Sequence, residues 1–349
     1  MEDIYISGYK NRKFDINYVG GNDMPPDNNA PKRKKKKKKK SVFRKILSFF
    51  LVIAVIFGTA YFFILNMMMK INYNETGHQR NQYIDESELM SGIGVKNILL
   101  VGVDARAGED VSRSDTMIIL TLDSVHRKIK LTSFLRDSWV KIPDSGYAKL
   151  NASCVYGGAQ LVMDTIETNF KIKIDNYMLV NFEVFTSIVD SLGGITVEVT
   201  EKEARYMRDV VHLTNVHSGE SVPLNGNEAL WYCRIRKLDN DFMRTSRQRK
   251  VISAILDKVK RAGVANLTPM LNEVFPQVET DMSPVTLTNF AMSSAVLYLG
   301  FKVESQQIPA DGTWADANKN GQSVLSVDLE KNRQVIYDFI YGGGTGDEG

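Results

Sequence analysis

The sequence has 349 residues, 43% of them hydrophobic, so the chain can form one large domain or two ordinary ones around a sizeable core. Its formal net charge of +3 hides an asymmetry: residues 1–70 hold 15 Lys and Arg against 5 Asp and Glu, whereas the remainder holds 29 against 36. A basic leader therefore precedes an acidic body, and a cluster of arginines within the body stands out against its own domain.

The leader has the pattern of a membrane anchor. The basic run PKRKKKKKKK (31–40) is followed by 24 uncharged, mostly apolar residues, ILSFFLVIAVIFGTAYFFILNMMM (46–69). At about 1.5 Å per residue, a helix of this length is roughly 36 Å long, enough to cross a hydrocarbon core about 30 Å thick. The apolar region of a cleaved signal peptide is shorter, about 7–15 residues. The segment therefore predicts an uncleaved transmembrane helix.

The charge beside this segment predicts its orientation. Lysine-rich flanks stay in the cytoplasm. We therefore expect a disordered, cytoplasmic basic tail over residues 1–41, a transmembrane anchor over 42–70, and an extracellular remainder. Beside a membrane span, the lysine run is better explained as a topology determinant that contacts anionic lipid headgroups than as a nuclear-import or nucleic-acid-binding tail.

The sequence after the anchor predicts a polar stalk (71–93), one folded domain (94–342) and a flexible, glycine-rich tail (343–349). Three apolar runs of strand length open the domain, and the short link 123–127 predicts that the second and third are antiparallel neighbours. Helical patterns then alternate with short strands. Together with the three opening runs, the predicted strands are 97–103, 116–122, 128–134, 175–180 and 195–199. This pattern predicts a single α/β domain with a mixed central sheet covered by helices.

The two cysteines, Cys154 and Cys233, lie on the predicted outer side and form no CxxC pair. They are either small buried residues or partners in one disulfide.

Charged residues at the ends of the first three strands form a first candidate site. Asp104 ends the first strand, Arg113 and Asp115 lie where the second begins, and Arg136 and Asp137 follow the third. In an up-and-down arrangement these strand ends meet at one rim of the sheet. Two carboxylates suit Mg²⁺, a hard cation that prefers oxygen ligands and often shares them with phosphate. Arginines beside them suit phosphate oxygens, because the planar guanidinium binds two oxygens at once.

An arginine cluster later in the chain forms a second candidate site. Arg234 and Arg236 are two residues apart, so they share a target only where the chain is extended or turning. Arg244, Arg247 and Gln248 have the spacing of one helical face. A loop and a helix N-terminus together could present these side chains to a single anion. In an acidic domain, this pattern predicts a polyphosphate site.

With these segments identified, the sequence resembles the LytR-CpsA-Psr family of bacterial envelope proteins. The resemblance rests on NILLVGVDAR, RSDTMIIL, SFLRDSWV, KLNASCVYGGA, VNFEVFTSIVDSLGGITVEV, and LNGNEALWYCRIR through DFMRTSRQRKVI, and it covers residues 94–263. It implies a membrane-anchored ligase that moves an anionic glycopolymer, such as teichoic acid or capsular polysaccharide, from a polyprenyl-pyrophosphate carrier to peptidoglycan.

The resemblance also implies roles for individual residues. Asp104 and Asp115 match aspartates associated with Mg²⁺, which Mn²⁺ can replace. One glutamine, Gln248, and five arginines match the surroundings of the pyrophosphate; the arginines are Arg113, Arg136, Arg234, Arg236 and Arg244. At Arg249 this chain departs from the second glutamine that the family shows. The family fold encloses the lipid tail in an apolar tunnel, which could be lined by Val180, Phe182, Phe185 and Ile188, although core packing explains these four equally well.

The leading functional prediction is therefore glycopolymer transfer. Arginines and Mg²⁺ would stabilise the charge that develops on the departing polyprenyl phosphate. Asp104 or Asp115 could accept the proton of the attacking hydroxyl, a role that competes with metal binding. One alternative is a non-catalytic sensor that binds a lipid-linked precursor. Another is a transcriptional regulator, which conflicts with an extracellular domain.

Overall fold

The computed structural model describes residues 40–74, 80–104, 113–262, 267–268, 270–297 and 300–342. The chain divides into two units, residues 1–54 and 55–349. The predicted basic tail before residue 40 and the predicted flexible tail over 343–349 lie outside the described residues.

A long apolar helix, α1 (Lys40–Met68), occupies the predicted anchor segment. Within it, Ile46–Met68 has a mean hydropathy of 2.4 and is, among the described residues, the one segment long and apolar enough to cross a membrane. The predicted anchor thus corresponds to a continuous helix.

The main sheet contains both parallel and antiparallel pairs, as predicted. Within the described residues it has seven strands in the order β1-β10-β7-β2-β3-β4-β11. The strands are β1 (Asn72–Tyr73), β2 (Val95–Val103), β3 (Ser114–Asp123), β4 (Lys128–Phe134), β7 (Asn176–Asn181), β10 (Glu279–Thr280) and β11 (Lys302–Ile308).

The pairing of the three central strands explains why charged residues meet at one rim. β2 pairs antiparallel with β3, and β3 pairs antiparallel with β4, which confirms the predicted hairpin. The register places Gly102 opposite Thr116, and it shifts between Gly102 and Val103. The end of β2, the start of β3 and the end of β4 therefore lie at the same edge of the sheet.

Two smaller sheets flank this rim. One has the strand order β12-β13-β5-β6. In this sheet β13 pairs in parallel with β5, and β5 begins directly after the rim residue Asp137. The strands are β5 (Ser138–Ile142), β6 (Gly146–Lys149), β12 (Trp314–Lys319) and β13 (Gln322–Val327). The other sheet pairs β8 (Ile195–Val199) with β9 (Gly219–Leu224).

Helices cover both faces of the main sheet. The remaining helices are α2 (Ala152–Phe170), α3 (Phe182–Ser191), α4 (Glu201–Asp209), α5 (Gly226–Cys233), α6 (Asp241–Arg261), α7 (Pro284–Leu297) and α8 (Leu329–Ile340). α2 and α8 pack on one face and share a core with Leu99, Val101 and Ile119. α6 packs over the opposite face, against β4 and β11.

The segment predicted as a stalk contacts the body in its described parts. β1 pairs with β10, and the Asn81 side chain donates hydrogen bonds to the Asp164 carbonyl (3.1 Å) and the Glu167 carboxylate (3.0 Å). Met90 forms a parallel bridge with Ile172. The packed body therefore includes residues before the predicted boundary at 94.

Both cysteines are buried free thiols, so the disulfide alternative is excluded. Burial raises the pKa of Cys154 to about 11 and that of Cys233 to about 12. Neutral thiols at these pKa values are inert, and we assign both residues to packing.

Candidate active site

A cavity of about 250 Å³ lies between the main sheet and the helices of the α6 face. Its walls are predominantly apolar and come from β2, β3, β7, α3 and α6. The four residues predicted to line a lipid tunnel, Val180, Phe182, Phe185 and Ile188, all line this cavity. Its charged lining residues are Asp115, Arg234, Arg236 and Arg244, and its polar ones include Gln248, Thr116 and Asn181.

Asp115 is the central residue of this charged group. Its two carboxylate oxygens accept hydrogen bonds from Arg136 Nη1 (2.8 Å) and Arg236 Nη2 (2.5 Å), and its backbone carbonyl accepts one from Arg244 Nη2 (3.1 Å). Burial raises the pKa of Asp115, but Arg236, Arg244 and Arg136 together outweigh burial and hold the pKa below its ordinary value. Asp115 therefore stays ionised and orients three arginines, which come from the turn after β4, the loop after α5, and α6.

Several buried polar atoms of these residues have no hydrogen-bond partner within the described part of the chain. They are Arg136 Nε, Arg244 Nε and Gln248 Oε1, whereas Arg244 Nη1 forms an ion pair with Asp241 Oδ1 at 3.0 Å. Arg244 is 2% exposed, and Gln248 is 7% exposed. A buried polar group left without a partner costs about 1–3 kcal/mol. Arg244 and Gln248 both line the cavity, so a ligand bound there could supply the missing partners.

Arg234 lies at the mouth of the cavity between two aromatic rings. Its guanidinium carbon is 4.5 Å from the ring centroid of Phe182 and 5.1 Å from that of Trp231. α5 ends at Cys233, so the chain turns at Arg234, and this turn is what allows Arg234 and Arg236 to face the same cavity. Arg234 Nη2 is also 3.6 Å from Asp104 Oδ2.

The remaining rim residues are less enclosed. Asp104 has an exposed side chain, and Arg113 is exposed just before β3. Arg136 is half-buried. It contacts Asp115 but does not itself line the cavity. Asp115 thus contacts Arg136, Arg236 and Arg244 directly, whereas Asp104 contacts Arg234, which lines the same cavity as Asp115.

Arg247 occupies a different environment. It donates hydrogen bonds to the Glu203 carboxylate (2.7 Å), the Ile235 carbonyl (3.0 Å) and the Asp239 carboxylate. Its side chain is only 3% exposed and does not line the cavity. These contacts tie α6 to α4 and to the loop after α5. The geometry gives Arg247 a structural role and does not favour the predicted contact with pyrophosphate.

The sequence reasoning passed over Asp241. Its Oδ1 is 3.0 Å from Arg244 Nη1 and 3.6 Å from Arg136 Nε. Burial raises the pKa of Asp241 above its ordinary value, although Arg244 and Arg136 act in the opposite direction. One signal could have found it: Asp241 precedes Arg244 by three residues, so both lie on the same side of one helix.

Comparisons with known proteins identify the family. The model of the LytR_cpsA_psr family matches residues 61–338. The chain belongs to this family. The match extends the resemblance seen in the sequence beyond residues 94–263 in both directions, and so includes part of the predicted anchor.

Relatives within the LytR_cpsA_psr family have transferase names. The polyisoprenyl-teichoic acid--peptidoglycan teichoic acid transferase TagU of Halalkalibacterium halodurans is 35% identical over 190 residues, which cover 53% of this chain and 60% of that protein. The aligned stretch thus spans less than two thirds of this relative.

Solved structures of the family share the fold. TagT bound to LIIa-WTA superposes with a TM-score of 0.60 at 26% identity, and the match covers 75% of this chain and 94% of that one. YwtF (TagT) with bound octaprenyl pyrophosphate gives a TM-score of 0.57 at 25% identity, covering 77% and 98%.

Arg249, where this chain departs from the family's second glutamine, points away from the site. It does not line the cavity, and its Nε and Nη1 have no hydrogen-bond partner within the described residues. Burial lowers the pKa of Arg249 to about 10. The departure therefore leaves the set of residues around the cavity intact.

Proposed function

We propose that the protein transfers an anionic glycopolymer, of the teichoic acid or capsular polysaccharide type, from a polyprenyl-pyrophosphate carrier to peptidoglycan. One observation carries the proposal: an apolar cavity ends at a cluster of arginines, and the buried Nε of Arg244 and Oε1 of Gln248, which both line the cavity, have no hydrogen-bond partner within the described residues. This arrangement suits an amphipathic ligand with a long apolar tail and a doubly anionic head. The names of the relatives and the octaprenyl pyrophosphate bound to YwtF (TagT) support the same ligand class.

The reaction is a displacement at phosphorus. A hydroxyl oxygen of the acceptor attacks the phosphorus atom attached to the polymer, and the bond from that phosphorus to the bridging oxygen breaks. Polyprenyl monophosphate leaves with the bridging oxygen, and the polymer is joined to the acceptor by a new phosphodiester. Arg236 and Arg244 would hold the pyrophosphate oxygens and stabilise the negative charge that grows on the leaving phosphate.

The proton of the attacking hydroxyl needs a carboxylate that can accept it. Asp115 is poorly suited, because its pKa is held below the ordinary value and both of its oxygens face arginines. Asp241 also faces an arginine with both oxygens, but burial outweighs these contacts and raises its pKa above the ordinary value. We therefore propose Asp241 as the proton acceptor in place of Asp115, with Asp104 as the alternative.

The proposal includes Mg²⁺, or Mn²⁺ in its place, held by Asp104 and Asp115. Carboxylate oxygens are the right donor type, and substrate phosphates would complete the coordination. Within the described residues no group of three or more metal-binding side chains is present, and arginines already neutralise Asp115. Substrate pyrophosphate would draw these arginines away from the carboxylate. When bound, the metal would add positive charge between carboxylate and phosphate.

The proposal also includes an orientation, with the N-terminus in the cytoplasm and the folded body outside. It rests on the lysine run before the apolar helix α1. The proposed orientation keeps the predicted division of the chain into the segments 1–41, 42–70, 71–93, 94–342 and 343–349. A cysteine introduced after Gly342 should react with an impermeant thiol reagent on intact cells. Reaction only after lysis would contradict this orientation and revive the regulator alternative.

A transfer assay tests the function. Full-length protein in phospholipid vesicles is given a polyprenyl-pyrophosphate-linked polymer and peptidoglycan. We expect polyprenyl monophosphate and polymer-linked peptidoglycan in equal amounts. Tight binding of the lipid-linked polymer without either product would instead identify a sensor.

A further inference from the structure

The proposed reaction leaves the position of the acceptor open. In phosphoryl transfer the attacking and leaving oxygens lie roughly in line through phosphorus. The leaving polyprenyl phosphate carries its apolar tail into the cavity. The acceptor must therefore approach the rim from the side that faces away from the cavity.

Arg136 separates these two sides. Its Nη1 is 2.8 Å from the Asp115 carboxylate, which lines the cavity. Its Nε lies on the other side, 3.6 Å from carboxylate oxygens of both Asp137 and Asp241. Within the described residues, neither of these two aspartates lines the cavity.

An aromatic pair stands on this outer side. The rings of Phe242, next to Asp241, and of Trp314, the first residue of β12, have centroids 4.9 Å apart at an interplanar angle of 30°. Both residues are partly exposed. The hairpin that carries Trp314 is fixed to the rim, because Leu325 N on β13 donates a hydrogen bond of 2.9 Å to the Asp137 carbonyl. Two independent elements, α6 and the β12-β13 hairpin, thus meet beside the reacting centre.

Charged groups accompany the rings. Lys149 Nζ is 2.6 Å from Asp137 Oδ1, and both side chains keep part of their surface exposed, 21% and 28%. A sugar ring has an apolar face of C–H groups and a rim of hydroxyls. Flat aromatic surface with adjacent hydrogen-bonding groups is the chemistry that binds such a ring.

We propose that Phe242 and Trp314, together with Asp137 and Lys149, form the subsite that holds an acceptor sugar of peptidoglycan during transfer. This inference rests on the proposed function and adds the place and orientation of the acceptor. The sugar stacks on the Trp314 side of the pair, and its attacking hydroxyl points toward Asp241 and Arg136.

The test separates affinity for the acceptor from affinity for the carrier. Trp314→Leu keeps an apolar side chain but removes the aromatic face, and Trp314→Phe restores an aromatic ring. Full-length proteins in vesicles are assayed with saturating lipid-linked polymer and increasing amounts of a soluble, uncross-linked peptidoglycan glycan chain. We expect Trp314→Leu to raise the KM for this acceptor at least tenfold, and Trp314→Phe to stay within about threefold of the wild type.

Two further measurements complete the test. Binding of octaprenyl pyrophosphate and the thermal midpoint of unfolding should be unchanged in Trp314→Leu. Tyr337→Ala, which alters an exposed aromatic residue on α8, should keep the wild-type KM. An unchanged acceptor KM in Trp314→Leu, or an equal loss of carrier affinity, overturns the subsite. Failure of the proposed function has a different signature, since the wild type itself would then transfer no polymer to any acceptor.

Discussion

Two arginines of α6, Arg244 and Arg247, lie about one helical turn apart but have different surroundings. Arg244 faces the cavity, and its Nε lacks a hydrogen-bond partner within the described residues, while its Nη1 and Nη2 contact the Asp241 carboxylate. Arg247 faces α4, and it donates hydrogen bonds to two carboxylates and one backbone carbonyl. Both side chains are almost fully buried. Burial and charge alone therefore do not distinguish the two arginines, but the hydrogen-bond partners that the fold supplies to each of them do.

The largest effect should come from Arg247→Ala, and it should be a loss of stability. This change leaves Glu203, buried between α4 and α6, without its cation, and removing one partner of a buried ion pair costs about 3–5 kcal/mol. Urea unfolding of the detergent-solubilised protein measures it. Glu203→Gln in the same background should recover part of the loss. If Arg247→Ala were as stable as the wild type, Arg247 would not have the structural role that distinguishes it from Arg244.

Arg244→Ala should instead abolish transfer while the protein stays folded. Removing one donor aimed at developing charge costs about 3–4 kcal/mol, or some hundreds-fold in rate. The transfer assay in vesicles gives the rate, and thermal unfolding gives the control. Arg136→Ala should behave in the same way, because it orients Asp115 at the rim. Wild-type turnover in both variants would leave the pyrophosphate assignment without support.

A smaller effect concerns the metal. With Asp115 neutralised by arginines, Mg²⁺ should bind weakly to the empty protein and strengthen the binding of octaprenyl pyrophosphate about tenfold, which is 1.4 kcal/mol. Asp115→Asn should lose this strengthening. Isothermal titration with and without a chelator measures both. Equal affinity in chelator and in Mg²⁺ would remove the metal from the proposal and leave the aspartates as partners that orient arginines.

The smallest effect should come from Gln248→Ala on the cavity side of α6. A neutral hydrogen bond contributes about 0.5–1.5 kcal/mol, so affinity for octaprenyl pyrophosphate should fall roughly fivefold, with little change in stability. Binding titration checks the change. A loss as large as that of Arg244→Ala would mean that Gln248, rather than the arginine, dominates this side of the site.

The rim could be predicted because it depends on local order. Consecutive antiparallel strands return to the same edge of a sheet, so Asp104, Asp115 and Arg136 lie at one edge once the three strands are recognised. The turn after α5 is also local, since Arg234 and Arg236 share a cavity only if the helix ends before them.

The difference between Arg244 and Arg247 could not be predicted in this way. The two residues are three apart, roughly 60° around the helix, which places them on one nominal face. What separates them is Glu203, forty-four residues away on α4, and the Asp239 side chain. The contact between Trp314 and Phe242 is even harder to predict from the sequence. It depends on the sheet pairing that positions the β12-β13 hairpin, and no local pattern indicates it.

The central claim is that the apolar cavity holds the carrier's tail while Arg244 and its neighbours hold the pyrophosphate. The most direct measurement compares the affinities of octaprenyl pyrophosphate and octaprenol for the wild type and for Arg244→Ala. We predict that the wild type prefers the pyrophosphate at least a hundredfold, and that Arg244→Ala loses most of this preference while keeping its affinity for octaprenol. Equal affinities for the two lipids in the wild type, or an undiminished preference in Arg244→Ala, would contradict the account.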